Sequence, residues 1–471
     1  MTNKQLFKII AIVSFAVFII VFFTEGVPNH YSLLPVLPLV YSVSAFVLAN
    51  SLLNSSVNVA TIIIGGLTSV RYVLIPLLMI LGNQHTIMKL GIVQNANYGI
   101  LLMIYECVTI TIAIIAAYRK FYTANIEYDF TPYFDKKIFK IIFLLFLFCV
   151  FMLATNPMLL NNYMTIFTMN QEEFTMGNRI EQESVGSLMR ILQTLYTVVF
   201  NIVRVMLPIY IVGYLANKKK SNIFVFCIVM LLVFIEFMMI TATFAEAIVS
   251  ALIILLAVVK INKPLGKLIA KFAPLGVVFI VVGWFIARMQ VSEITGHESQ
   301  FSGNNLIETL CATFSAYFTG VDNVAAAFNM STETRWEHFF DTLQVTIPFN
   351  TTIFGKANEI IQTLFNASNG TIGQIPSTIG DGWYFFGPIL APFFSFLFAY
   401  NAIKYNIKGL ATFSYWRYIC YLFISIILSL GLGMYNESIT LNWINGWALP
   451  ILLFVWLSEK REYNEVNYSS L

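Results

Sequence analysis

Charge is what this sequence has least of. Asp, Glu, Lys and Arg make up only 11% of its 471 residues, against a hydrophobic share of 58% and a mean hydropathy of +0.77. Soluble domains carry about a quarter of their residues as charges, so a water-soluble fold is excluded. The apolar/polar alternation of a membrane β-barrel is missing too. Histidine is scarce: His30, His85, His297 and His338 stand apart from one another, and no cysteine–histidine spacing suits a metal. Neither metal nor cofactor is expected. Of the five cysteines, Cys107, Cys149, Cys227 and Cys420 lie inside apolar runs, where a thiol acts as a small hydrophobe, and only Cys311 sits in a polar stretch. That rules out a disulfide framework. The net charge of +3 comes from lysines at the ends of apolar runs and does not indicate a nucleic-acid partner. No internal repeat is visible, which argues against a repeat-built transporter.

What is present is a succession of apolar runs near 20 residues, the length of helix that crosses a bilayer core of roughly 30 Å. The reading is an all-α, polytopic integral membrane protein with about twelve transmembrane helices. Leu6–Phe23 is too long for a signal-peptide core and no small-residue cleavage site follows, so it is expected to remain as the first helix. Leu33–Leu53, Val57–Leu81, Tyr98–Ala117 and Ile138–Ala154 follow, then a long sixth run ending at Lys218–Lys220. Ile223–Ile240 and Phe244–Val259 form a hairpin, and Pro274–Phe285 is the core of a ninth span. Trp383–Tyr400, Tyr415–Leu432 and Ile439–Leu457 complete the series.

Cytoplasmic loops carry the excess of Lys and Arg. With both termini inside, the outer loops hold only Lys89, Arg179, Arg335 and Lys356 of the 27 basic residues; Arg71, Arg190, Arg204 and Arg288 lie within spans or at their ends. The remainder fall at inner boundaries. The lysine-, isoleucine- and asparagine-rich composition points to a bacterial cytoplasmic membrane.

This arrangement gives three regions: helices 1–9 over 1–289, a large extracytoplasmic loop over 290–382, and helices 10–12 with a cytoplasmic tail over 383–471. A loop of that size is expected to fold as a helical cap. Leu306–Phe328 and Trp336–Thr346 have helical spacing, the second capped by Ser331 or Thr332, whereas Phe349–Gly355 and Gly370–Gly382 are turn-rich. His297, His338, Glu298, Asp322 and Asp381 are its candidate acid–base groups. Gly380 and Gly382 permit a tight turn around Asp381, and the aromatics at 383–386 suit an interfacial belt. Anchoring does not explain Asp381, which makes it the first choice for a catalytic or acceptor-binding carboxylate.

Charges inside spans need a partner or a wet cavity. Arg71 and Glu106 lie at similar depth on neighbouring helices, which fits a buried ion pair or a ligand site. Arg190, Thr194, Thr197, Asn201, Arg204 and Pro208 recur every three or four residues, forming one polar face on the sixth helix. Such a face suits the wall of a hydrated cleft or a track for an anionic head group; arginine grips phosphate oxygens bidentately. The alternative is a helix cross-linked within the bundle. Glu236 and Glu246 flank Thr241–Thr243 at similar depth, as a carboxylate pair able to supply a base or as two solvated side chains. Arg288 closes the ninth helix as an anchor or a further cationic contact.

The segments Gln374-Ile-Pro-Ser-Thr-Ile-Gly-Asp-Gly-Trp-Tyr-Phe-Phe-Gly, Ala316–Gly320 and Val70–Pro76, with about twelve spans and a large loop before the tenth, resemble the Wzy-type polymerases of O-antigen and capsular polysaccharides. The resemblance implies a metal-independent glycosyltransferase of the GT-C type. It would transfer a glycan from undecaprenyl diphosphate onto another lipid-linked repeat unit. It further implies arginines on the departing diphosphate, a base for the acceptor hydroxyl, and membrane lipids and a chain-length regulator protein as partners. The roles fall on Asp381, His297 and Glu246 as candidate acid–base groups. Arg71, Arg190, Arg204, Arg288, Asn201, Gln374 and Tyr384 are the candidate substrate contacts. The Arg-x10-Gly pattern of some relatives is absent from the outer loops; Arg71 and Gly82 have that spacing inside a span and do not take its role. An O-antigen-type ligase and a lipid-linked oligosaccharide flippase are the alternatives.

Overall fold

A computed structural model describes residues 2–25, 27, 29–52, 58–82, 95–122, 136–155, 187–218, 220–236, 244–262, 264–272, 276, 306–347, 360–369, 374–412 and 414–457. Among these residues the protein is helical and contains no strand. His297, Glu298, Arg288, the ninth expected span apart from Gly276 and the turn-rich Phe349–Gly355 lie outside the described residues, as do the side chain of Arg190 and the turn Thr241–Thr243.

Contacts divide the chain into two units. The first comprises Met1–Ile126, Ser299–Ala411 and Tyr421–Asn445; the second comprises Glu127–Glu298, Thr412–Cys420 and Gly446–Leu471. In the first unit α1 (Asn3–Phe23) starts at a capping box, in which Thr2 Oγ1 accepts from the Gln5 amide and Gln5 Oε1 accepts from the Thr2 amide. It packs along α2 (Val36–Ser51). Next come α3 (Val59–Leu81), capped by the Asn58 side chain, and α4 (Ala96–Phe121). Within α3, Val70–Leu74 forms a π-turn, with the Ile75 amide reaching back to the Val70 carbonyl. Pro76 explains it: proline has no N–H for the Tyr72 carbonyl and its ring crowds that position, so the turn widens there.

The second unit holds α5 (Lys136–Thr155), α6 (Ser187–Asn217), α7 (Asn222–Ile235) and α8 (Phe244–Ile261). The stretch between 306 and 369 returns to the first unit as α9 (Leu306–Tyr317), α10 (Val321–Ala326), α11 (Arg335–Val345) and α12 (Ile360–Asn369). The expected single helix over Leu306–Phe328 is therefore two. Thr319 takes φ +45°, and Gly320 has no room for a side chain, since a Cβ there would lie 2.3 Å from Ser315 Oγ. α9 packs on the end of α3, and α10 lies on α4 at Gly99, where an added Cβ would meet the Ala325 amide at 3.0 Å. α11 begins after Thr334 without a side-chain cap bond, in place of the cap expected from Ser331 or Thr332.

The clearest departure from expectation is at Trp383–Tyr400, read as one straight span. The chain instead forms α13 (Thr378–Leu390) and α14 (Phe393–Leu410), bent by 105°. Gly387 at φ +75° and Pro388 kink α13 itself, and the 105° bend falls at the break between Leu390 and Phe393, where Pro392 stands. Asp381 is likewise not in a tight turn. Its two glycine neighbours are helical and serve close packing: a Cβ on Gly380 would meet Ala327 Cβ at 2.9 Å, and one on Gly382 would meet the Ala391 carbonyl oxygen at 1.9 Å. α15 (Tyr415–Leu430) and α16 (Glu437–Leu457) close the fold.

Seven helices among the described residues are long and apolar enough to cross a membrane, eight if the bent pair counts as one span. Three further expected spans fall on shorter apolar helices, Asn222–Ile235, Ile248–Ile261 and Tyr415–Leu430. Large apolar side chains point outward along several helices, with Ile12 70%, Phe23 76%, Leu144 64% and Ile223 72% exposed. Water would not tolerate so continuous an apolar exterior, whereas lipid does. The protein is a multi-pass helical membrane protein.

Candidate functional site

In the first unit the widened turn of α3 turns Arg71 inward, where it is 1% exposed. Its Nη1 meets Glu106 Oε2 of α4 at 2.5 Å and donates to the Leu432 carbonyl at 3.2 Å, while Nε donates to the Thr319 carbonyl at 3.0 Å. Glu106, wholly buried, also accepts from Tyr72 Oη at 2.9 Å and from Ser395 Oγ at 2.7 Å. The charge pair is thus saturated except at one atom: Arg71 Nη2 has no hydrogen-bond partner.

The short connection between α15 and α16 carries the next group. Its carbonyls are taken from two sides: Arg71 donates to Leu432, Thr319 Oγ1 to Gly433 at 3.5 Å, and Thr378 Oγ1 to Gly431 and Tyr435 at 2.7 and 2.8 Å. Just beyond, Asn436 caps α16 by accepting from the Ile439 amide at 3.1 Å, and Glu437 begins the helix. The Glu437 carboxyl lies within hydrogen-bonding reach of Asp381 in the first turn of α13, with the Asn436 side chain beside them. Asp381 is 0% and Glu437 1% exposed; the Asn436 side-chain amide and the Glu437 backbone N–H lie near, but among the described residues no well-formed hydrogen bond reaches the four carboxyl oxygens. One turn along α13, Tyr384 Oη lies 2.6 Å from His338 Nδ1 of α11. Gln374 is buried just ahead of α13, its backbone amide and carbonyl both held by the Asn366 side chain of α12 at 3.0 Å.

The second unit contains a separate charged group. Arg204 of α6 donates from Nε to Glu236 Oε1 at 2.7 Å, from Nη1 to Glu246 Oε2 at 3.0 Å and from Nη2 to Ser250 Oγ at 2.9 Å. Nη1 also faces Asn201 Oδ1 at 3.4 Å, and the guanidinium sits 4.6 Å from the Trp447 ring centre, whose Nε1 donates to the Asn201 carbonyl at 3.0 Å. Glu236 is buried at 1% exposure, which overturns the solvated reading of that side chain. Each guanidinium nitrogen of Arg204 is used and its charge is more than matched by two carboxylates. That leaves no nitrogen for a phosphate oxygen.

Of the residues singled out from the sequence, Arg204, Asn201 and Glu246 therefore meet in the second unit. Arg71, Asp381, Tyr384 and Gln374 are in the first, and Arg71 pairs with Glu106 as the ion-pair reading expected. Sequence reasoning missed Glu437, Ser395, Tyr72 and the Thr319 carbonyl. Only Glu437 had a signal: Asn436-Glu437 before an apolar run is a helix-start pattern. No group of His, Cys, Asp and Glu among the described residues could hold a metal ion. No protein-family model matches the chain, and neither a curated protein nor a solved structure does.

Proposed function

We propose that this protein is a membrane glycosyltransferase that polymerises undecaprenyl-diphosphate-linked repeat units on the outer face of a bacterial cytoplasmic membrane. The reading takes the chain as twelve spans with both termini inside, in a GT-C-like arrangement, and the 306–369 helices as the outer cap. In each cycle an acceptor hydroxyl attacks the anomeric carbon of the donor glycan. The C–O bond to phosphate breaks, undecaprenyl diphosphate leaves, and the hydroxyl proton passes to a base. Arg71 supports this reading most directly, as the buried cation with one guanidinium nitrogen to spare for a phosphate oxygen. Asp381 remains the candidate base, next to a helical cap folded onto α3 and α4. The account assigns Arg204 a structural role.

Deleting the gene in its host tests the reading: surface glycan should collapse to single repeat units while lipid-linked units persist on the outer leaflet. A second reading, a lipid-linked oligosaccharide flippase, draws on one observation. Buried carboxyls beside a broken helix are a transporter-like arrangement. It forecasts repeat units trapped on the cytoplasmic leaflet.

A further inference from the structure

We infer that Asp381 and Glu437 together form a proton-binding site, with one proton held between two carboxyls inside the protein. The inference goes beyond the proposed glycosyl transfer and stands under either functional reading.

Hydrogen-bond stoichiometry carries the argument. An ionised carboxylate only accepts, so two of them in contact have nothing to exchange. Here both are buried and within hydrogen-bonding reach of each other; among the described residues the donors at hand are the Asn436 side-chain amide beside Asp381 and the backbone N–H of Glu437 itself, and neither makes a well-formed hydrogen bond to the four oxygens. Bare buried charge is costly, and two like charges in contact more so. One proton between them turns the repulsion into an O–H···O⁻ bond, among the stronger hydrogen bonds available to a protein. The single negative charge left over is well placed, because Asp381 lies in the first turn of α13 and Glu437 opens the 21-residue α16, where backbone N–H groups favour an anion.

Among the described residues, no charged group of the neighbouring helices pairs with the two carboxyls. On α4, Glu106 is matched by Arg71; on α10, Asp322 receives the Tyr31 hydroxyl at 2.6 Å; on α11, His338 is bonded to Tyr384. Along the rest of α11, Arg335 lies over the Trp336 ring, and Glu337 and Asp341 complete that helix's charges. The pair is also fixed in place: Thr378 ties α13 to the Gly431 and Tyr435 carbonyls, and Asn436 caps the helix that carries Glu437. It sits one short helix away from the 105° bend, so loss of the proton would place two charges against a break in the fold.

Two measurements on the purified full chain in lipid test this without assaying activity. Infrared spectra at neutral pH should show a carboxylic-acid C=O band that shifts in D2O and disappears in the Asp381→Asn/Glu437→Gln double variant. N,N′-dicyclohexylcarbodiimide, which couples to protonated buried carboxyls, should give the wild type one adduct per chain, mapped to Asp381 or Glu437. The wild-type adduct needs no variant to fold. Failure to label either residue, or a D2O-sensitive band that survives in the double variant, would overturn the proposal. So would carboxylate bands that respond to Na⁺, which would mark a metal-cation site.

Discussion

Arg71 and Arg204 look alike in sequence, each an arginine within an apolar span, and they end in different states. Arg204 has every nitrogen occupied, whereas Arg71 keeps Nη2 unpartnered. Breaking a buried ion pair leaves an uncompensated charge, at about 3–5 kcal/mol. Arg71→Ala should therefore lower stability by that order in detergent thermal unfolding, while the double replacement Arg71→Met/Glu106→Leu should recover most of the loss. An equal loss in single and double variants would show that the charges themselves do not matter. Cys311 offers a second test at this scale. Burial in α9, aided by nearby Asp322, pushes its thiol up to about 12. Because the thiolate is the reactive form, maleimide labelling of Cys311 should stay negligible and flat from pH 7 to 10 in folded protein, then appear on unfolding. The Arg71–Glu106 pairing could be read from matched depth on adjacent helices. The burial of Glu236 could not, since it depends on Arg204 arriving from another helix. The contact of Asp381 with Glu437 was likewise hidden, as it joins residues 56 positions apart through tertiary packing.

At the scale of elements, hydropathy located the described apolar helices and failed at their breaks. The run from Trp383 to Tyr400 is largely apolar, so it reads as one span; yet Gly387-Pro388 within it is a punctuation signal where α13 kinks, and Ala391-Pro392 follows as the break of the 105° bend. Two glycines on α13 make opposite demands. A side chain on Gly382 would collide with the Ala391 carbonyl oxygen, whereas Gly387 has open space but a left-handed backbone. Gly382→Ala should be the more damaging substitution, because relieving a 1.9 Å approach to backbone means opening the bend. Gly387→Ala should cost about 1–3 kcal/mol from backbone strain alone. Thermal unfolding of the two variants checks the order, and equal melting temperatures would contradict the close-approach account. Thr319 is a similar case: its positive φ splits a predicted helix and aims a carbonyl at Arg71, with no periodicity to announce it.

For the whole molecule, composition alone excluded a soluble fold, and the helical, outwardly apolar structure agrees. Charge counting predicts that the 306–369 helices lie outside. The exposed Glu333 lies among them, so Glu333→Cys in intact cells should react with a membrane-impermeant maleimide; labelling only after the cells are opened would invert the topology. The function itself is tested most directly by reconstituting the purified protein in liposomes with lipid-linked repeat units taken from the deletion strain. The proposed polymerase should lengthen the lipid-linked glycan by whole repeat units and release one undecaprenyl diphosphate for each new linkage. Glycans that keep their length but change leaflets would contradict it and establish a flippase instead.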